Sequence, residues 1–387
     1  MVIGGGLMGA AIAWRLAQRG REVTVVTGPG PIEAPGATAA WASAGMLAPV
    51  TETNFTETGL LELNLDSLRR WPRFVDELAD TGADPGYRTD STLSVAQSPD
   101  DAARLSDFAD FCDDHDLTTK RLTSREARRL EPLLSPRVRS ALLVEADVSC
   151  DNRMLWSALI HAATTAGVRF TPGEVEAVTT DDDRATGVRL RTAEQVTADH
   201  IVLAAGAWSG SIDLPVEVPV RPVKGQILRL HAGTLPRLTH TVRAFSHGQE
   251  VYLVPRHHGE VVVGASVEEM GFDTRVTGEG AWSLLRDARQ VMPLTAEYTL
   301  NEFSVGFRPG TPDNSPFLGP SGVPGLTLAC GHHRNGVLLV PLTADAVVEH
   351  ITDGRLPDCA APFTLDRPMT ARKPRRIAKK PRREEEP

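Results

Sequence analysis

Three glycines near the start of the chain, Gly4, Gly6 and Gly9, have the spacing that binding a phosphate group calls for. In a Gly-x-Gly-x-x-Gly turn, Gly4 permits the tight bend, Gly6 lets a pyrophosphate approach the backbone, and Gly9 lets a helix pack closely on a strand. The helix that follows presents free amides and the positive end of its dipole to the phosphate. A carboxylate usually closes the second strand of such a unit and holds the ribose hydroxyls of a dinucleotide, but this chain has Thr27 there. Threonine still hydrogen-bonds, at a loss of about 1 to 2 kcal/mol relative to a charge-assisted bond. Weakened dinucleotide affinity is the expectation.

Those glycines require strand, turn, helix and strand in that order. Val2-Ile3 supplies the first strand, Ala10 to Arg19 the helix, and Val23-Thr24-Val25-Val26 the second strand. A mid-sheet first strand usually has about five residues, so an upstream continuation of the chain is expected. Further on, Ile201-Val202-Leu203-Ala204-Ala205-Gly206 reads as a buried parallel strand ending at a glycine turn and returning to the same sheet. Between Gln226 and Ser266, runs such as Glu250-Val251-Tyr252-Leu253-Val254 and Glu260-Val261-Val262-Val263-Gly264 alternate with polar turns, the pattern of an inserted antiparallel sheet. A helix spans Leu61 to Leu78, and Pro72 is expected to kink or end it.

A length of 387 residues exceeds what one core usually organises, and two domains are expected. The fold class is α/β, a Rossmann-type nucleotide-binding domain with an inserted antiparallel-sheet substrate domain. The first comprises residues 1–85, 145–220 and 305–368, and the second residues 86–144 and 221–304. Residues 369–387, a proline-punctuated basic run followed by acids, read as a disordered tail. A net charge of −9 disfavours nucleic acid and anionic membrane surfaces as partners. No apolar run approaches the ~18 residues that span a bilayer, and no secretory signal opens the chain, so cytoplasmic residence is expected. Cys112, Cys150, Cys330 and Cys359 lack any CxxC pairing, and the doublets His257-His258 and His332-His333 put adjacent side chains on opposite faces. No metal site is expected.

Four further segments narrow the reading: Trp41-Ala42-Ser43-Ala44-Gly45-Met46-Leu47-Ala48-Pro49, Tyr252-Leu253-Val254-Pro255-Arg256, Gly306-Phe307-Arg308-Pro309-Gly310-Thr311-Pro312-Asp313, and Gly331-His332-His333-Arg334-Asn335-Gly336. In this order and spacing the chain, from about Val2 to Pro368, resembles the D-amino-acid oxidase superfamily of FAD enzymes. Within it, the glycine oxidase branch that serves thiamine biosynthesis is most similar.

The resemblance implies a role for each of these segments. Arg308 pairs with the substrate carboxylate, a task suited to a planar guanidinium that makes two parallel bonds, and Tyr252 adds a phenol hydrogen bond. Without the resemblance, Arg308 reads as a surface arginine in a polar turn and Tyr252 as an edge-strand tyrosine. The carbonyl of Arg334 orients the substrate amine, and the turn Arg334-Asn335-Gly336-Val337 opens a helix aimed where the reduced flavin gathers negative charge. Ala44, Gly45 and Met46 run beside the flavin ring, and Met46 and Val267 line the substrate pocket. Leu7, Met8, Thr27, Val175, Gly206 and Trp208 complete the cofactor wall. Gly306 stands where covalently flavinylated relatives carry a cysteine, so the FAD is expected to be non-covalent. Val267 replaces a methionine common in the branch and leaves more room beside the substrate.

The implied activity is oxidative deamination of glycine or another small amino acid, with molecular oxygen as the second substrate. Sarcosine, a D-amino acid or a larger amine is the nearer alternative, kept open by Val267. A flavin-poor binding module is the more distant one, motivated by Thr27 and the short first strand. A homo-oligomer is compatible with all three.

Overall fold

The glycine-rich opening folds as strand β1 (Val2–Ile3), helix α1 (Leu7–Gln18) and strand β2 (Thr24–Val26) in the computed structural model, which describes residues 1–28, 36–246 and 249–369. α1 begins earlier than its apolar pattern suggests, because Gly6 adopts an extended conformation and starts the helix without any side-chain cap. Ala10, Ala11, Ile12 and Ala13 are fully buried, and the small alanine side chains let α1 lie close against the helices Asn152–Thr165 and Val340–Asp353. β1 is central in a six-stranded sheet of order Phe317–Pro320, Leu326–Cys330, β3 (Ile201–Leu203), β1, β2, Arg169–Thr171. All neighbours run parallel except Phe317–Pro320, so the Ile201 segment does return to the first sheet. The residues that pair there, Val2, Val25 and Val202, are almost wholly buried, as a sheet covered on both faces requires.

A second sheet has eight strands. Its order is β7-β4-β6-β5, with β4 (Arg221–His231), β5 (Gln249–Pro255), β6 (Glu260–Gly264) and β7 (Thr299–Gly310), followed by Thr241–Ser246, Thr92–Ala96, Ser140–Val144 and Lys120–Thr123. The expected antiparallel pattern holds except between Thr241–Ser246 and Thr92–Ala96, which pair in parallel. β4 and β7 are the longest strands, and their shared ladder carries Arg308 to the segment 36–46, where Phe307 makes an isolated bridge with Thr38. A three-stranded meander, Val175–Asp181, Arg184–Leu190 and Gln195–Thr197, flanks the first sheet and was not resolved in the sequence reading.

Helix α2 (Thr58–Ala79) continues through Pro72, so the proline does not end it. Proline inside a helix costs about 3 kcal/mol. Burial of Trp71, Phe74 and Leu78 on the turns around it outweighs that cost. α2 then serves the site, because Ser67 Oγ and Trp71 Nε1 donate to the Leu338 carbonyl at 2.7 and 2.9 Å. Helix α3 (Val340–Asp353) follows that carbonyl, with Pro341 in its first turn. The basic and acidic tail lies, Met369 apart, outside the described residues. No helix among the described residues is long and apolar enough to cross a membrane.

Candidate active site

One cavity of about 1190 Å³ runs from the glycine turn, past the segment 36–46, to the open edge of the second sheet. At its nucleotide end, φ is +108° at Gly4, a backbone setting that other residues rarely adopt, and a Cβ there would run into the Ala204 carbonyl. A Cβ on Gly9 would fall on the Gly4 carbonyl, so Gly9 is what lets α1 close on the turn. Gly6 differs: nothing of the protein lies within 4 Å of where its Cβ would be, and it lines the cavity. The space a side chain would fill is open to a ligand, directly before an uncapped helix N-terminus. Trp156 Nε1 donates to the Gly5 carbonyl at 2.9 Å and fixes the turn. Leu7, Met8, Thr27, Val175, Gly206 and Trp208 share this wall. Thr27 Oγ1 has only a long contact, 3.5 Å, to the Thr171 carbonyl. The meander adds Glu174, Glu176 and Arg191, which sequence reasoning missed, and Glu174 pairs with Arg191 at 2.8 Å.

The middle of the cavity is walled by the segment from Thr38 to Met46. Its path is set by buried polar side chains beneath it. Asn152 Nδ2 donates to the carbonyls of Ala40 and Trp41 at 2.7 and 3.0 Å, and Arg256 Nη2 donates to Ala44 at 2.8 Å. Gly45 has φ +69° and lies so close to the Cys150 carbonyl that no Cβ fits. Opposite, a Cβ on Gly306 would be 2.5 Å from that of Ala42. None of the four cysteines lines the cavity, and burial pushes the thiols of Cys112, Cys150 and Cys330 up to about 12.

The substrate end is built from long side chains. Arg308 Nη1 donates to the Ser266 carbonyl at 3.0 Å, and its guanidinium lies over Gly225, where a Cβ would be 2.5 Å from Nη1. Tyr252 lies over Gly264, its register partner, where a Cβ would be 2.6 Å from the phenol oxygen. Two glycines on neighbouring strands thus make room for these two side chains, a signal present in the sequence but invisible without the strand register. Burial raises the Tyr252 phenol, and the nearby Arg308 charge opposes that shift. Among the described residues no carboxylate pairs with Arg308.

Sequence reasoning missed Glu52. Its side chain is 12 % exposed, lines the cavity, pairs with Arg243 and lies 3.7 Å from Arg334. Burial would raise its carboxyl, but the guanidiniums of Arg243 and Arg334 outweigh that and hold it below the usual range. The loop carrying it is pinned by Asp147, which accepts from Val50 N, Thr51 N and Thr51 Oγ1 at 3.0, 2.7 and 2.6 Å. Met46 lines this end, and Val267 stands at its rim, 71 % exposed. Arg334, Asn335, Gly336 and Val337 are on the wall as expected, but in a 3-10 turn and the loop after it. The α-helix proper starts only at Val340 and contributes nothing to the lining. His332 lines the cavity as well. Burial pulls it down to about 3 and Thr343 bonds it at 3.0 Å, so it stands neutral. Among the described residues no group of three or more His, Cys, Asp or Glu gathers to hold a metal.

A parallel sheet with an uncapped helix at a glycine turn, opening into a long cavity with a cationic far end, defines a dinucleotide-binding oxidoreductase fold. Residues 1–350 match the family model described as FAD dependent oxidoreductase (DAO), and the chain belongs to that family. It is 34 % identical over 358 residues to a bifunctional protein ThiO/ThiG of Trichormus variabilis, covering 91 % of this chain and 52 % of that one. The chain thus spans about half the length of these curated relatives. The crystal structure of glycine oxidase from Geobacillus kaustophilus superposes with a TM-score of 0.87 at 30 % identity, covering 95 % of this chain and 98 % of that one. Iminodiacetate oxidase from Chelativorans superposes with a TM-score of 0.84 at 27 % identity, over 94 % and 98 %. Gly6, the α1 N-terminus and the small-residue wall from Thr38 to Met46 fit an FAD laid along the cavity.

Proposed function

We propose that this protein oxidises glycine, and other small amino acids less well, to the oxo acid, ammonia and hydrogen peroxide, with molecular oxygen as the electron acceptor. The observation that carries this reading is Arg308, a guanidinium on the cavity wall that donates to the Ser266 carbonyl, shares the lining with Tyr252 and is paired with no carboxylate of the described residues. A half-buried cation facing a cavity in this way is completed by the carboxylate of a ligand. The phenol of Tyr252 donates a further bond to it. The carbonyl of Arg334 accepts from the amine, which enters unprotonated, and no side chain has to remove a proton: Glu52 is held ionised between two guanidiniums and His332 is neutral but tied to Thr343. FAD, held by Gly4, Gly6, Leu7, Met8 and Gly9 at one end and by Ala44, Gly45, Met46 and residues 334–337 at the other, supplies the two-electron acceptor. Gly306 and the absence of any cysteine from the lining support non-covalent attachment.

The balance is glycine, oxygen and water giving glyoxylate, ammonia and hydrogen peroxide. The glycine oxidase and ThiO/ThiG relatives support this substrate, and with it we propose a place supplying thiazole formation in thiamine biosynthesis. A second reading, a secondary or larger amine, is favoured by one observation: Val267 leaves the rim beside Arg308 open. Anaerobic addition of glycine to the yellow protein is expected to bleach the flavin bands, and air to return them with one glyoxylate and one peroxide per glycine. Bleaching by sarcosine or a larger amine, but not by glycine, moves the assignment to the second reading. No bleaching by any amino acid contradicts both.

A further inference from the structure

The substrate end holds three guanidiniums, and two of them are already matched. Arg243 pairs with Glu52 and, at 3.3 Å, with Glu250. Arg334 lies 3.2 Å from Glu57 and 3.7 Å from Glu52. Glu52 is therefore shared, and it lines the cavity beside Arg334, while Arg243 lies behind the lining. Glu250 lines the same end, 53 % exposed, while Arg308 alone has no carboxylate partner among the described residues.

We propose that Glu52 is a specificity-determining residue that restricts the site to substrates with a single carboxylate. The inference rests on the reading of Arg308 as the carboxylate anchor. With Glu52 ionised, Arg243 and Arg334 are neutralised, and any second carboxylate on the substrate faces Glu52 and Glu250 with no unpaired cation among the described residues to receive it. Selectivity against a competitor is often built in this way, by placing a like charge where only the competitor reaches. Without that charge Arg334 on the cavity wall keeps only Glu57 and Arg243 behind it only Glu250, and the like charge that faces a second carboxylate is gone, so a dicarboxylic amine gains a place for its second group. Glu52 touches no reacting atom on this account; it sets which ligands fit by what it leaves available.

The test compares the parent holoenzyme with Glu52→Gln on glycine and on iminodiacetate, and measures binding of two non-oxidisable probes, glycolate and oxydiacetate, by the shift they cause in the flavin spectrum. The ratio of kcat/KM for iminodiacetate to that for glycine is expected to rise about tenfold or more, with oxydiacetate binding strengthened and glycolate binding little changed. Glu250→Gln, at a half-exposed position that tolerates substitution, is expected to move the ratio the same way by about two- to threefold. It carries the test if Glu52→Gln does not fold. Equal losses for both substrates, or an unchanged ratio in a folded variant, would overturn the proposal. Arg308→Ala separates the two levels. If glycolate binding is insensitive to Arg308, the anchor reading fails; if it depends on Arg308 while neither glutamate variant changes the ratio, only the role of Glu52 fails.

Discussion

The two ends of the cavity are made in opposite ways. At the nucleotide end the wall is backbone, and what matters is which side chains are missing: Gly4 and Gly9 have no room for a Cβ, and Gly6 leaves its space to the ligand. At the substrate end the wall is long charged side chains, Arg308, Arg334 and Glu52, with Arg243 paired to Glu52 behind them and the strand ladder beneath. A phosphate bound by backbone amides needs close approach and a helix dipole, whereas a small carboxylate taken out of water needs a fixed counter-charge. The two ends should therefore fail separately, one by losing flavin and the other by losing substrate.

The largest effect expected at the nucleotide end comes from Gly9→Val. Its branched side chain would fall on the Gly4 carbonyl and push α1 off the turn, and the variant should purify without flavin absorbance and regain none on addition of FAD. A yellow Gly9→Val protein would show that the turn is not what holds the pyrophosphate. A smaller effect, of opposite sign, is expected from Thr27→Glu. Thr27 lines the cavity with little to bond, and a carboxylate there should tighten FAD by about tenfold, read as a fall in Kd by flavin fluorescence. Unchanged affinity would mean that Glu174 or Glu176, on the same wall, already serves the ribose hydroxyls.

The same contrast explains what could be read from the sequence. Gly4, Gly6 and Gly9 act over a few residues of chain, so their spacing alone indicates the turn and the parallel unit, and the return of Ile201–Leu203 to the sheet is legible from its own apolar run. Arg308, Tyr252 and Arg334 come together from distant strands and a loop, and only a family resemblance singled them out. Gly225 and Gly264, which make room for two of these side chains, are legible only once the ladder pairs them across strands. Glu52 escaped notice because a glutamate in a polar stretch looks solvated until Arg243 and Arg334 are seen to enclose it. Pro72 misled for the converse reason: a local rule about proline gave way to the burial of Trp71 and Phe74, which no local pattern measures.

The central claim is that Arg308 is the carboxylate anchor of an amino-acid oxidase, and Arg308→Ala tests it most directly. Leaving a desolvated carboxylate unpaired typically costs about 3 to 5 kcal/mol. The expected result is a fall of roughly two to three orders of magnitude in kcat/KM for glycine, only partly restored by Arg308→Lys, because a point charge cannot reproduce the two-bond fork. The purified variant should stay yellow, since the glycine turn at the other end is untouched. An Arg308→Ala protein that keeps its flavin and near-parental kcat/KM for glycine would contradict the assignment and move the active site elsewhere in the cavity.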